Sequence, residues 1–347
     1  MVPHGNLGVM YSTLGQYEKA LAQYQEGQNL EPTLFGYSNV AGTYVNLERP
    51  ADAMKWVEQA QANKLDGLVI RSTFYSLAFL RGDSAEMERQ MAWVAGRPGE
   101  EDLMLSTQSD TEAYHGRVIA ARDFSRRAVD SAVRSDSKET GALWQVNAAL
   151  REAEFGNITQ AKQGVAAALG LSPGRDVKVL AAMALARAGD SARAKAIAEE
   201  VEKSNSLNTV LKVYWLPTIR AAIDLHSGSP AQALVSLEAA APYDLGSPPP
   251  TQSGTLYPAY IRGYAYLAAH NGPAAAGEFQ KLLDHRGIVI NFPLGALAHL
   301  GQARAYAMSG DMTRAHAKYQ DFFQVWKNAD PDVPILKEAK AEYDKLK

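Results

Sequence analysis

The side chains able to do chemistry are few and far apart. Seven histidines are present, His4, His115, His226, His270, His285, His299 and His316, and no two stand four apart. No H-E-x-x-H sets two imidazoles on one helix face, so a metal site would have to be assembled from distant segments. Cysteine is absent, which removes thiolate nucleophiles, cysteine-ligated metals and disulfides together. Neither G-x-x-x-x-G-K-S/T nor G-x-G-x-x-G occurs, so no glycine-rich loop is marked to cradle phosphates. No G-x-S-x-G presents a serine nucleophile. Asp123-Phe124-Ser125 shares two letters with the D-F-G of kinases but lacks the glycine and falls on a helical stretch. Asp284-His285-Arg286-Gly287 has the letters of H-R-D in the wrong order. The adjacent His285 and Arg286 are nonetheless the best polar candidates, and would carry an enzyme site in the 284–293 connector if one exists. His115, His226 and His270 each fall beside a turn at a helix end, where a protonated imidazole would suit the C-terminal dipole. Asn157-Ile158-Thr159 fits a glycosylation sequon but sits on a helix turn.

Composition narrows the classes further. The 347 residues carry 38 acidic and 35 basic side chains, a formal charge of −3. That balance argues against a nucleic-acid binder, which needs a basic face. Hydrophobic residues make up 46 %, too many for a disordered chain. No apolar run approaches the ~18–20 residues needed to cross a bilayer. The start, Met1-Val2-Pro3-His4-Gly5-Asn6, has neither a basic nor an apolar signal region. A cytoplasmic location is therefore expected, and no cofactor is implied. Length alone suggests about two globular domains.

A recurring pattern of small and aromatic residues changes that count. Leu7-Gly8, Tyr11, Gly15, Ala20, Tyr24, Gly27 and Pro32 resemble the tetratricopeptide (TPR) pattern, a helix–turn–helix unit of about 34 residues. His4 stands where that pattern prefers tryptophan. Tyr44, Ala53, Val57 and Ala60 repeat the spacing. Gly82-Asp83, Gly116, Gly156, Gly189-Asp190, Gly228 and Gly310-Asp311 mark further turns, and Gly263, Tyr266, Ala275 and Phe279 mark another hairpin. The sequence thus predicts an all-α, TPR-like solenoid of about nine helical hairpins plus a C-terminal helix. Hairpins one to seven fill 1–241. Pro242 to Gly254, with Ser247-Pro248-Pro249-Pro250, is an extended loop in which no helix is expected. The last two hairpins and a Lys/Glu-rich capping helix from Val333 to Leu346 fill 255–347 and continue the same superhelix. Val69-Ile70 opens a helix, and Ile288-Val289-Ile290 belongs to the connector between the last two hairpins. Such repeats bury a core by stacking on their neighbours. Residue 1 lies almost inside the first helix, which suggests the downstream part of a longer protein.

A solenoid offers a concave groove lined by the first helix of each hairpin, a surface that binds extended peptides or partner helices. Asn6 and Asn39 occupy one repeat position there. TPR proteins use asparagines at that place, with lysines and an arginine, to clamp a peptide carboxylate. Val2, Val69 and Thr73 stand where the cations would be, and Arg71 is the nearest cation. Tyr257, Tyr260 and Tyr264, following the Pro-rich loop, are expected to be partly exposed and able to anchor a partner.

Pro242-Tyr243-Asp244-Leu245-Gly246, Leu256-Tyr257-Pro258, Leu283-Asp284-His285-Arg286-Gly287, Gly295-Ala296-Leu297-Ala298-His299-Leu300 and Trp326-Lys327-Asn328-Ala329-Asp330-Pro331-Asp332 resemble the TPR-containing C-terminal region of large bacterial serine/threonine protein kinases. A similar region follows the DNA-binding domain of winged-helix regulators. The resemblance implies a non-catalytic sensing or interaction module attached to an upstream effector, and a place outside the membrane if a membrane segment precedes it. The expected partner is a protein or peptide, with a small ligand in the groove as the alternative.

Overall fold

The computed structural model describes residues 2–250 and 256–346. Among them no strand occurs, and helices follow one another as hairpins. The first three pairs are α1 (Val2–Thr13) with α2 (Tyr17–Leu30), α3 (Leu34–Asn46) with α4 (Pro50–Ala62), and α5 (Leu68–Arg81) with α6 (Ser84–Val94). The next three are α7 (Glu101–Tyr114) with α8 (Val118–Arg134), α9 (Lys138–Glu154) with α10 (Ile158–Leu171), and α11 (Arg175–Arg187) with α12 (Ser191–Ser204). Hairpin seven is α13 (Leu216–His226), preceded by a π-helical turn over Leu211–Trp215, with α14 (Pro230–Leu237). Hairpin eight is α15 (Tyr257–Ala268) with α16 (Gly272–Asp284). A one-turn helix α17 (Arg286–Val289) leads to hairpin nine, α18 (Leu294–Met308) with α19 (Met312–Val325), and α20 (Pro334–Asp344) ends the chain.

All nine turns close the same way. One residue takes a left-handed conformation: Gly15, Glu48, Gly82, Gly116, Gly156, Gly189, Gly228, His270 and Gly310. The next amide then reaches back to the first helix, as Gln16 to Tyr11, Arg49 to Tyr44, Asn157 to Glu152 and Asp311 to Tyr306. This is the Schellman closure, which satisfies carbonyls a helix end would otherwise orphan. Seven positions use glycine, where no Cβ opposes the conformation. The alanines at the helix crossings are fully buried, among them Ala20, Ala53, Ala128, Ala161, Ala194, Ala233, Ala275 and Ala315. At the tightest crossings even a methyl does not fit. A Cβ at Gly8 would stand 2.4 Å from the Tyr24 ring, and one at Gly263 would stand 2.7 Å from the Phe279 ring.

The two helices of a hairpin have different surroundings. The second helices α8, α12, α16 and α19 bury one stripe and expose the rest. The first helices α9, α11 and α18 are buried nearly all round, as a helix inside the coil must be. Nine hairpins bring the end of the solenoid back onto its beginning. The chain after α14 makes a 3-10 turn, Ala241–Tyr243, a correction to the helix-free loop expected there; 251–254 of that loop lie outside the described residues. It then crosses the first turn: the Ser247 amide donates to Ser12 O at 3.2 Å, and the Tyr17 hydroxyl donates to Leu245 O at 2.7 Å. Burial pushes that hydroxyl up to about 12, so it stays protonated and a donor. Next, α17 lies on the second turn, with the Gly287 amide donating to Glu48 Oε1 at 2.5 Å. The chain after α19 lies on turns four and five. There Trp326 Nε1 donates to Tyr114 O at 3.0 Å, the Asp330 amide to Gly116 O at 3.0 Å and the Ile335 amide to Phe155 O at 3.2 Å.

The sequence suggests repeats touching only their neighbours. The structure instead closes the coil, with one apolar cluster running from Tyr17 through hairpins four to nine to Ala339 in α20. A second cluster serves hairpins one to three. The capping helix begins and ends within two residues of its expected bounds. It buries Ile335, Leu336 and Ala339, exposes Lys337, Glu338 and Lys340, and pairs the half-buried Glu342 with Arg304.

Candidate functional site

The hollow that an open solenoid would offer a ligand is filled from within. The end of α17 and the residues after it lie on the inner side: Ile288, Val289 and Phe292 are buried. Asn291 Nδ2 donates to Thr107 O at 2.8 Å and Thr111 Oγ1 at 2.9 Å, both on α7. Ile290, a β-branched residue, is held at φ 50°, a conformation that costs energy and persists only where surroundings impose it.

Tyr257 and Tyr260 are corrected by the structure. Both are fully buried, and Tyr264 is half-buried. The helix they begin is an inner helix, so its aromatic face meets core on every side. Tyr257 packs against Trp215 and Phe292, and Tyr260 and Tyr264 pack edge-on against Phe279. The Tyr257 hydroxyl donates to Glu154 Oε1 at 3.3 Å, and burial holds it well above its ordinary pKa. Glu154 also takes a two-pronged contact from Arg187, 2.8 Å at each oxygen, and that guanidinium sits 5.1 Å from the Tyr264 ring centre. Tyr257 and Tyr260 are not placed to anchor a partner, while Tyr264 keeps part of its surface exposed.

Several buried polar groups of α7 and α9 are paired internally. Asp110 is paired with Arg151, whose other nitrogen donates to Ser109 and Ser125. Trp144 Nε1 donates to Asp102 at 2.8 Å. Burial pushes the Asp110 carboxyl up, against the pull of Arg151. Among the described residues no group of three or more His, Asp or Glu is placed to hold a metal ion.

One concave region lies in the first two hairpins. Where α1, the last turns of α2 and the start of α3 meet, a cleft of about 240 Å³ is lined by Asn6, Val9, Tyr24, Gln28, Phe35 and Asn39. The two asparagines expected to share a repeat position line this one cleft, with Asn6 exposed and Asn39 half-buried. Sequence reasoning missed the rest of it. Val9 is 52 % and Phe35 66 % exposed, unusual for large apolar side chains beside a concavity. Gln28 is 5 % exposed. Its Oε1 accepts from the Thr33 amide at 3.1 Å, while its Nε2 has no partner. A buried donor without an acceptor costs about 1–3 kcal/mol. The available signal was Leu34-Phe35, two apolar residues in the first turn of α3, neither of which is fully buried.

The remaining candidates are separated. Arg71 is not free for a carboxylate: it grips Asp66 at 2.7 and 2.5 Å, donates to Gln90 at 3.2 Å and covers Trp93. His285 is half-buried and lines a cleft of about 420 Å³ with Tyr17, Glu48 and Leu245. Arg286 is exposed, donates to Leu80 O at 3.5 Å and lines a different cleft, of about 610 Å³. The structure thus divides the pair between two cavities, and the connector is a docking segment. His115, expected as a cation at its helix end, is instead shifted down: burial disfavours its charge, and Arg117 and Lys327 add to that. His299 is shifted down by burial and by Lys318.

No family model matches the chain. Among curated proteins, the human protein O-mannosyl-transferase TMTC2 is 30 % identical over 88 residues, 24 % of this chain and 10 % of that protein. The match thus spans about a tenth of that relative's length. Among solved structures, yeast Tom70 aligns with a TM-score of 0.45 and 10 % identity, covering 99 % of this chain and 88 % of that one. A human IFIT1 dimer with m7Gppp-AAAA aligns at 0.44 and 17 % identity, covering 99 % and 72 %. A tetratricopeptide repeat protein from Parabacteroides merdae aligns at 0.36 and 13 %, covering 85 % and 98 %. No helix among the described residues is long and apolar enough to cross a membrane. By its own nine Schellman-closed hairpins and capping helix, this chain is an all-α solenoid of tetratricopeptide-like repeats, coiled until its end rests on its beginning.

Proposed function

We propose that the protein is a non-catalytic protein-interaction scaffold, and that it takes an extended peptide of its partner in the cleft of the first two hairpins. The single observation that carries this is the cleft lining itself, where exposed Asn6, Val9 and Phe35 and half-buried Asn39 face one concavity. Side-chain amides both donate and accept, and so suit the alternating groups of an extended backbone. Val9 and Phe35 would cover one apolar side chain of that peptide. Residues 288–292 lie against α7, and the small volume of the cleft in the first two hairpins suits a short segment. The resemblance of residues 240 onward to the repeat region of bacterial kinases and winged-helix regulators supports a signalling setting.

The test is display panning of random peptides on the full chain, followed by titration of enriched peptides. Phe35→Asp and Asn39→Ala should each weaken binding at least tenfold while leaving the far-UV circular dichroism unchanged. Enriched peptides that bind both variants as well as the parent would place recognition elsewhere.

A further inference from the structure

A second cleft shares no lining residue with the peptide cleft. Of the nineteen arginines in the sequence, sixteen are ion-paired to a carboxylate. Among the described residues, Arg81, Arg134 and Arg286 are not. Two of these three, Arg81 at the end of α5 and Arg286 at the start of α17, line the same cleft of about 610 Å³. Only closure of the coil brings them together. The cleft is of a size that holds a small organic molecule.

Its walls fit the same reading. Phe79 and Tyr114 meet edge-on at 5.1 Å and form an apolar side with Met87. The polar floor is already satisfied: Gln108 donates to Glu112 at 2.7 Å, Arg117 is paired with Glu112, and Thr111 accepts from Asn291 at 2.9 Å. Glu112 is therefore neutralised, and the exposed Glu88 is the one other acid on the lining. Guanidinium groups present planar donor pairs matched to phosphate and carboxylate oxygens.

We propose that this cleft binds a small molecule bearing a phosphate or carboxylate group, held by Arg81 and Arg286, with its apolar part against Phe79, Met87 and Tyr114. Because Arg286 belongs to the segment that closes the coil, such a ligand joins the two turns of the superhelix and raises the unfolding temperature.

The experiment is calorimetric titration of the full chain with sodium pyrophosphate and, separately, sodium citrate at fixed ionic strength. Saturable one-site binding is expected, and the tighter probe identifies the head group. Arg81→Gln, at a position with no other contact, should raise the dissociation constant about tenfold or more. Arg286→Gln should do the same with the fold retained by circular dichroism. Arg134→Gln, the third unpaired arginine, should leave binding unchanged. The proposal is overturned if neither probe saturates, if Arg81→Gln binds as the parent does, or if Arg134→Gln weakens binding equally.

Discussion

Gly287 offers the sharpest perturbation of the closed coil. Nothing in its backbone conformation demands glycine, since its φ is not among the positive ones. Its neighbour does. A Cβ at 287 would stand 1.8 Å from Val45 O, 2.7 Å from the Val45 carbonyl carbon and 3.1 Å from Glu48 Oε1. The first two are backbone atoms of α3 and its hydrogen-bonded turn, which cannot yield as a flexible side chain does. In Gly287→Ala the one-turn helix α17 must therefore lift. Overpacking of this kind costs about 1–3 kcal/mol. Losing the amide's bond to the charged Glu48 adds about 1.5–3 kcal/mol. Together they give a destabilisation of about 2.5–6 kcal/mol. The assay is urea unfolding followed by tryptophan fluorescence and far-UV circular dichroism. Gly277→Ala is the matched control, because Gly277 is an exposed helical glycine with nothing within 4 Å of its would-be Cβ. That change should stabilise by about 0.5–1 kcal/mol. If Gly287→Ala unfolds at the parent's midpoint, α17 does not bear on α3 and the closure is misplaced.

Three further outcomes follow from the same packing. Phe279, fully buried against Gly263 and Gly301, should cost about 3–5 kcal/mol when truncated to alanine, read as a lower denaturation midpoint. Glu154→Gln removes the carboxylate that holds Arg187 and should cost about 3 kcal/mol, also read by denaturant unfolding. His115 and His299 both have depressed pKa values in the fold, so the unfolded chain binds the extra protons. Their contribution to stability is present above the unfolded histidine pKa of about 6.5 and is lost as pH falls below it. His115→Gln and His299→Gln should each make stability fall less steeply than the parent's between about pH 6.5 and 5. An unchanged slope would mean that the imidazoles are solvated.

The hairpins were legible because each is a local unit. Gly15, Gly82 and Gly310 mark left-handed turn positions, and Ala20 or Ala315 mark crossings, all within about one repeat length. Even the turns without glycine, at Glu48 and His270, follow from the spacing of Tyr44 and Tyr266. The coil's closure was not legible. It depends on how small rotations accumulate over nine hairpins, and on contacts such as Tyr17 with Leu245 that no periodicity encodes. For that reason Tyr257 and Tyr260 were expected to be partly exposed and are core, and His285 and Arg286 were expected as one site and face two cavities. Asn6 and Asn39 were found because they share a repeat position. Gln28 was not, because an unmet hydrogen bond is a property of packing and not of residue type.

The central claim, that the solenoid's end rests on its beginning, is tested most directly by amide hydrogen exchange at Ser247 and Asp330, resolved by NMR. Neither amide lies in a helix, and each donates across the closure, to Ser12 O and Gly116 O. In the closed coil both should exchange slowly, protected by roughly 100-fold or more relative to the unstructured rate. Exchange of both at the unstructured rate, with the helices of hairpins one and four still protected, would mean an open solenoid and would contradict the account.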